Sequence, residues 1–374
     1  MLNRTREFLK SETSGGLVLF LAAVAAILVA NSPLRETYLT SLSVRLGPLS
    51  LQGWINDGLM AIFFFVVGME IKFELTSGSL ASRDRALLPG IGAAGGMIVP
   101  ALVFLMIAPP GIASRGFGIP MATDIAFALG VVVLLGRRVP LSLKIFLLAL
   151  AIVDDLGAVL VIAVFYTAKL NWEMILLATG ALFTVHRLAR RNLSSPIWMV
   201  PLGVLAWWFV HESGVHATIA GCILGFLVPY TEKWVRRLHS LSTFAIMPLF
   251  AFANAGLAFD SVTPAQVFSD PLVNAVAFGL LVGKPVGIFG ACWLAIRWKV
   301  ARLNEGMTWM SLLGVACVGG VGFTMSLFVA SLAWPDPQLL ALAKIGIVKG
   351  SMLSAMLGVL VLCMPTIMTN RRKK

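Results

Sequence analysis

The sequence predicts an all-α polytopic membrane protein, and three observations carry that prediction. Of the 374 residues, 59% are hydrophobic and only 12% charged, with a mean hydropathy of +0.92; a soluble domain carries about twice that share of charge. The apolar residues fall into runs near the roughly 20 residues that cross a bilayer's hydrocarbon core. The basic residues between those runs are distributed with a strong alternation.

Twelve hydrophobic segments are read from these runs, roughly 15–31, 54–72, 87–107, 117–136, 141–167, 173–188, 196–211, 214–229, 242–259, 271–296, 306–332 and 340–366. Of the 29 Lys and Arg, 21 lie at one set of alternate gaps and ends, among them Arg4, Arg6, Lys10, Arg137, Arg138 and Arg371. The other set holds four: Arg35, Arg45, Arg115 and Lys169. Short cytoplasmic loops collect Lys and Arg, so both termini are expected in the cytoplasm, which an even span count requires. The N-terminal cations followed by residues 16–30 superficially resemble a secretory signal. More spans follow at once, so the segment is read as a retained first span. The whole chain, 1–374, is read as one integral membrane domain.

The composition also excludes classes. A net charge of +12 suits a nucleic-acid partner only when it forms a patch, and here it is divided among short loops. Cys222, Cys292, Cys317 and Cys363 all sit in apolar runs without metal-ligand spacing, and the four histidines form no constellation. No cofactor is expected. No Gly-x-x-x-x-Gly-Lys-Ser/Thr loop is present, so ATP hydrolysis is not expected either.

One outer loop breaks the helical pattern. Leu42, Val44 and Leu46, then Gly47-Pro48, then Leu49 and Leu51, alternate with polar residues, which predicts a short β-hairpin at about 42–51. An isolated hairpin is marginal in water. It either pairs with its copy in a homodimer or folds onto its own protomer.

The functional signal is charge inside the spans. Asp154 and Asp155 lie about 20 Å from either end of the fifth segment. Each carboxylate at mid-membrane costs about 2.5–3.5 kcal/mol on insertion scales, so two adjacent ones need a compensating reason, and a structural salt bridge accounts for one while leaving the other unpaired. Neighbouring helical residues point about 100° apart, so one can face a protein partner and the other a water-filled cavity. Lys284, in Gly283-Lys284-Pro285 at similar depth in the tenth segment, is the natural counter-charge.

Asp124 follows the Gly- and Pro-containing stretch 116–123, which predicts a broken fourth span. Residues 319–324, Gly-Gly-Val-Gly-Phe-Thr, predict the same in the eleventh. Segments three to five and ten to twelve thus make two three-helix units, about 87–167 and 271–366, each with an interrupted middle helix. The topology starts one inside and the other outside, so a repeat would be inverted. Paired interruptions of this kind mark the binding site of a secondary transporter. Exposed helix ends carry partial charges, which Asp124 and Lys284 are placed to offset. Asp57, at the outer start of the second span, either lines an entry funnel or caps its helix.

Residues 121–130 (Met-Ala-Thr-Asp-Ile-Ala-Phe-Ala-Leu-Gly) and 149–158 (Ala-Leu-Ala-Ile-Val-Asp-Asp-Leu-Gly-Ala), with residues 213–218, 248–256, 283–285 and 322–326, resemble the NhaA family of Na+/H+ antiporters. The resemblance runs in order along essentially the whole chain. NhaA is itself one of the folds that illustrate the paired-break rule. The resemblance implies twelve helices with crossed, discontinuous fourth and eleventh helices, in the inner membrane of a bacterium. It implies export of Na+ and Li+ against inward H+, serving sodium and pH homeostasis, and a homodimer joined through the outer hairpin. It makes Asp155 the central ion- and proton-binding carboxylate, with Asp154 sharing the site or pairing with Lys284. Asp124 and Thr123 would support the crossing, and Glu70, Glu74 and His216 match positions of pH response. One departure is Val235, which stands where the family pattern has an acid, with Glu232 merely nearby.

The chemistry follows from two close carboxylates. They resist joint ionisation and titrate as a pair. Na+ prefers oxygen ligands and binds well only once the protons leave, so competition for one site couples the two fluxes. An intramembrane aspartyl protease would need Gly-x-Gly-Asp, which is absent. A Na+-coupled solute symporter would need an organic substrate. A channel would conduct without proton coupling.

Overall fold

The computed structural model describes residues 2–78, 80–167, 170–191, 193, 195–229, 232–258, 263–304 and 306–371. Lys169 and the basic residues Arg372–Lys374 lie outside that set. The described chain is helical almost throughout. Helix α1 (Leu2–Ala30) bends by 112° into α2 (Arg35–Ser43).

The hairpin follows as β1 (Arg45–Leu46) and β2 (Leu49–Ser50), antiparallel, with Arg45 opposite Ser50 and Leu46 opposite Leu49. Gly47 takes the left-handed φ of +71° that the tight turn requires. The strands are shorter than the alternation suggested. Tyr38 and Leu42, four residues apart, bury on one face of α2, so helical periodicity captures Leu42 before the strand begins.

Ser50 then caps α3 (Leu51–Gly53), its hydroxyl accepting from the Gly53 amide at 3.0 Å. A wider, π-turned stretch, Trp54–Leu59, leads into α4 (Met60–Thr76). After α5 (Arg83–Ile107) comes the first broken element: a 3-10 stretch at Ile112–Met121, extended residues, then α6 (Ile125–Leu134) at 41°. Pro120 lacks the amide that would continue the helix. Next come α7 (Leu141–Phe165), α8 (Trp172–Arg190), α9 (Pro196–Glu212), α10 (Thr218–Leu227) and α11 (Glu232–Leu241). The π-turned Ser242–Ile246 joins α11 to α12 (Met247–Asn254).

The short α13 (Pro264–Ser269) precedes α14 (Pro271–Phe278), which passes through a third π-turned stretch, Gly279–Gly283, into α15 (Lys284–Arg297). The second broken element is α16 (Trp309–Val318) and α17 (Phe323–Ala333), bent by 47°. Helix α18 (Pro337–Arg371) closes the chain.

Among the described residues, four helical stretches are long and apolar enough to cross a membrane: Arg83–Ile107, Leu141–Phe165, Pro271–Arg297 and Pro337–Met364. The count reaches seven if each bent pair is one span. Several other apolar segments are shortened by their own breaks. Helix α10, with 10 residues, is about 15 Å long.

Large apolar side chains stand outward on these helices, as at Met106, Leu134 and Leu176, which are 84%, 80% and 73% exposed. Such a surface suits lipid and not water. Between helices, glycine allows close approach. A Cβ at Gly95 would lie 2.3 Å from the Gly287 carbonyl oxygen, and one at Gly287 would lie 2.2 Å from that of Gly95. Contact of α5 with α15 is therefore backbone on backbone, as in small-residue membrane packing.

Candidate ion-binding site

The two broken elements meet at their interruptions. The Asp124 amide donates to the Val321 carbonyl at 2.8 Å. Four helix ends converge here, and each exposes unpaired amides or carbonyls. Asp124 serves two of them. Its Oδ1 accepts from the Phe127 amide at 3.0 Å, capping α6, while Oδ2 accepts from the Thr324 amide at 3.1 Å and from the Thr324 hydroxyl, capping α17. One carboxylate thus faces two positive helix ends, the favourable polarity.

The opposite ends are carbonyl-rich. Lys284 donates to the Met121 carbonyl, and the Thr123 hydroxyl lies 2.8 Å from both the Gly319 carbonyl and Asp154 Oδ2.

Helix α7 brings Asp154 and Asp155 against this crossing, and the helical offset separates their environments. Asp154 turns to Lys284, with Nζ 2.6 Å from Oδ2. Lys284 is wholly buried, and each aspartate is 1% exposed. Asp155 points elsewhere. Among the described residues neither of its carboxylate oxygens has a hydrogen-bond partner, and neither does Asp154 Oδ1. An ionised carboxylate left so in a dry interior is strongly unfavourable. Its partner must be a proton, water or a cation.

Asp155 opens onto a cavity shared with Asp124, Glu70, His239, Thr243 and Met325. Its walls come from α1, α4, α6, α7, α11, α12 and α17, with the π-turned Ser242–Ile246 stretch. At Glu70 the cavity carries an ion pair the sequence reading missed: His239 Nδ1 lies 2.9 Å from Glu70 Oε1, and Thr243 Oγ1 is 3.5 Å from His239 Nε2. Nothing local marks His239, because its partner is 169 residues away.

The residues matched to pH response therefore separate. Glu70 lines the cavity; Glu74, on the next turn, is not among its lining residues. His216 belongs to a different cluster. Its Nε2 is 3.4 Å from Asp57 Oδ1, His211 Nδ1 is 3.9 Å from Asp57 Oδ2, and the Thr218 hydroxyl is 2.8 Å from His216 Nδ1. His216 also meets the Phe328 ring edge-on, and Phe328 packs on Phe64 and Phe250. Close to Asp57 is a carboxamide group, in which Asn254 donates to Asn56 at 2.8 Å and Gln52 lies 3.3 Å from Asn254 Oδ1.

Val235 is buried in α11, so the loop expected there is helical. The Glu232 side chain lies outside the described residues. The other lysines within spans reach carbonyl oxygens: Lys144 to Gly136 at 3.4 Å, Lys344 to Gly256 at 3.1 Å and Lys349 to Val267 at 3.1 Å. Among the described residues no group of three His, Cys, Asp or Glu side chains is arranged to hold a metal ion.

Two carboxylates lie at a crossing of broken helices, one of them lining a cavity, as a candidate ion-binding site, and comparison with known proteins places the chain. The sequence model of the family described as Na+/H+ antiporter 1 matches residues 6–362. The chain belongs to this family. It is 49% identical over 369 residues to the Na+/H+ antiporter NhaA 2 of Pseudomonas syringae pv. syringae, covering 95% of this chain and 93% of that one. It is 49% identical over 374 residues to the Na+/H+ antiporter NhaA of Caulobacter vibrioides, covering 96% and 90%. The fold is similar to that of the sodium proton antiporter MjNhaP1 from Methanocaldococcus jannaschii, with a TM-score of 0.56 at 13% identity over 96% of this chain and 98% of that one.

Proposed function

We propose that this family member is a secondary transporter, not an enzyme, and that it exports cytoplasmic Na+ and Li+ in exchange for external H+. The observation that carries the reading is Asp155: two buried oxygens without a protein partner among the described residues, lining a cavity, beside a carboxylate already tied to a lysine. A proton neutralises that carboxylate, and a dehydrated Na+ takes it as an oxygen ligand. Both cannot hold it at once. Asp154, held by Lys284 and Thr123, completes the site and carries the second charge.

If the pair exchanges two protons for one Na+, each cycle moves net charge inward and membrane voltage drives export. The cavity that reaches Asp155 passes Glu70 and His239 on the cation-rich face, so it is read as the cytoplasmic mouth. Alternating access then closes it and opens the far side.

The membrane arrangement belongs to the same proposal. Counting α1, α4, α5, the first broken element, α7, α8, α9, α10, α12 with its π-turned lead-in, α14–α15, the second broken element and α18 gives twelve crossings. Both termini then lie in the cytoplasm of a bacterial inner membrane, and the hairpin faces the periplasm. The units 87–167 and 271–366 are read as inverted repeats, since each places a broken helix between two continuous ones. The pH response is assigned to Glu70 and His239, whose ion pair exists only while the imidazole is protonated.

The experiment is ΔpH dissipation in everted vesicles on adding Na+, Li+ or K+. The wild type is expected to respond to Na+ and Li+ and not to K+. Asp155→Asn is expected to respond to none, because an amide neither releases a proton nor balances a cation. Wild-type dissipation by that variant would sink the assignment.

A further inference from the structure

Asp124, Thr123 and Lys284 satisfy part of the crossing, but they leave much of the break between α16 and α17 to another helix. Helix α18 supplies the rest with two serines. Ser351 and Ser354 are three residues apart and so share a helix face, and they are 4% and 0% exposed.

Their polarities are opposite. Ser351 Oγ accepts from the amides of Gly322 and Phe323, both at 3.2 Å, at the positive end of α17. Ser354 donates to the Cys317 carbonyl at 2.8 Å, at the negative end of α16, with the Leu280 carbonyl oxygen 3.4 Å away. The fit is tight: a Cβ at Gly320 would lie 2.2 Å from Ser354 Oγ. The next amide of α17, Thr324, goes to Asp124, and the carbonyl of Gly319, just past the end of α16, goes to Thr123. Each serine therefore stands one or two backbone units from a group that touches the carboxylates.

We propose that Ser351 and Ser354 are positioning residues of the cation site, holding the two opposite dipole ends of the broken helix and balancing the potential they impose at Asp155. This rests on the reading of Asp155 as the cation site. Neither serine touches the ion. Removing the Ser351 oxygen leaves two amide hydrogens uncompensated, which makes the site more positive and weakens Na+ binding. The Cys317 carbonyl also accepts from the Gly320 amide at 3.0 Å, so removing the Ser354 hydroxyl takes away one of its donors, which makes the site more negative and strengthens Na+ binding.

The test is Na+ transport by purified protein in proteoliposomes at a fixed alkaline pH, with KM and kcat measured separately. Ser351→Ala is expected to raise KM for Na+, and Ser354→Ala to lower it, each by about two- to fivefold, equivalent to about 0.4–1 kcal/mol. Ser351→Thr and Ser354→Thr, which retain the hydroxyl, are expected to keep the wild-type KM. A packing role alone would reduce stability or kcat in both alanine variants and leave KM where it was; that result, or KM shifts of the same sign, overturns the proposal. If an alanine variant does not fold, Ser→Cys at that position, a weak hydrogen-bonding group of similar size, takes its place with a smaller shift of the same sign. Asp155→Asn is assayed in parallel. Exchange surviving there defeats the site reading itself, whereas an inactive Asp155→Asn with unmoved serine KM values defeats this inference alone.

Discussion

At the scale of single residues, the site divides two adjacent acids between two tasks. Asp154 is an ion-pair partner, and its Lys284 contact at 2.6 Å is made where both side chains are sealed from solvent. Such a pair adds little over an apolar one, but breaking it strands a charge, at a cost of about 3–5 kcal/mol. Lys284→Met is therefore expected to lower the unfolding temperature of detergent-purified protein markedly, and adding Asp154→Asn to restore most of it. Lys284→Arg keeps the counter-charge and is expected to retain exchange with an altered pH profile. His239 and Glu70 permit a second prediction. His239→Gln removes the imidazole from their contact, so vesicle activity is expected to follow a different pH profile from wild type. An unchanged profile would clear His239 of any part in regulation.

At the scale of elements, helix breaks do the positioning. A continuous helix satisfies its own backbone; an interrupted one hands amides and carbonyls to its neighbours in the middle of the membrane, where no water takes them. That is why Asp124, Thr123, Thr324, Ser351, Ser354 and Lys284 all converge at residues 121–124 and 317–324. The continuous helices beside them hold the crossing still by close contact. Gly95→Val is expected to force α5 from α15, because its side chain would enter the space of the Gly287 carbonyl. Overpacking of this kind costs about 1–3 kcal/mol. Thermal unfolding should show it, and a wild-type midpoint would mean that the helices separate freely.

At the scale of the whole molecule, the proposed orientation rests on the charges outside the spans, and the proposed dimer on the hairpin. The hairpin has two residues per strand, and its inward side is held by the Trp54 indole, which donates to the Leu46 carbonyl at 2.8 Å. Arg45 and Leu46 are exposed along the first strand, an edge that a second copy can extend. Deleting residues 45–50 is expected to shift purified protein from dimer to monomer in crosslinking and sizing experiments while vesicle exchange persists. A dimer that survives the deletion places the interface elsewhere.

The sequence by itself determined the lipid environment, the hairpin turn at Gly47, the two helix breaks and the short set of buried charges. Each is a local property of composition, turn chemistry or spacing. It also named Lys284 as the counter-charge, since depth in a span can be counted. Its hairpin was too long because alternation and helical spacing share residues such as Leu42, and only packing against the helix face chooses between them. Tertiary structure alone decided which aspartate takes the lysine, that His239 meets Glu70, that His216 sits with Asp57 away from the cavity, and that α18 clasps the second break with two serines. Those contacts join residues 28 to 169 positions apart. A chain encodes the identities of such partners, but their meeting depends on helices packing in three dimensions.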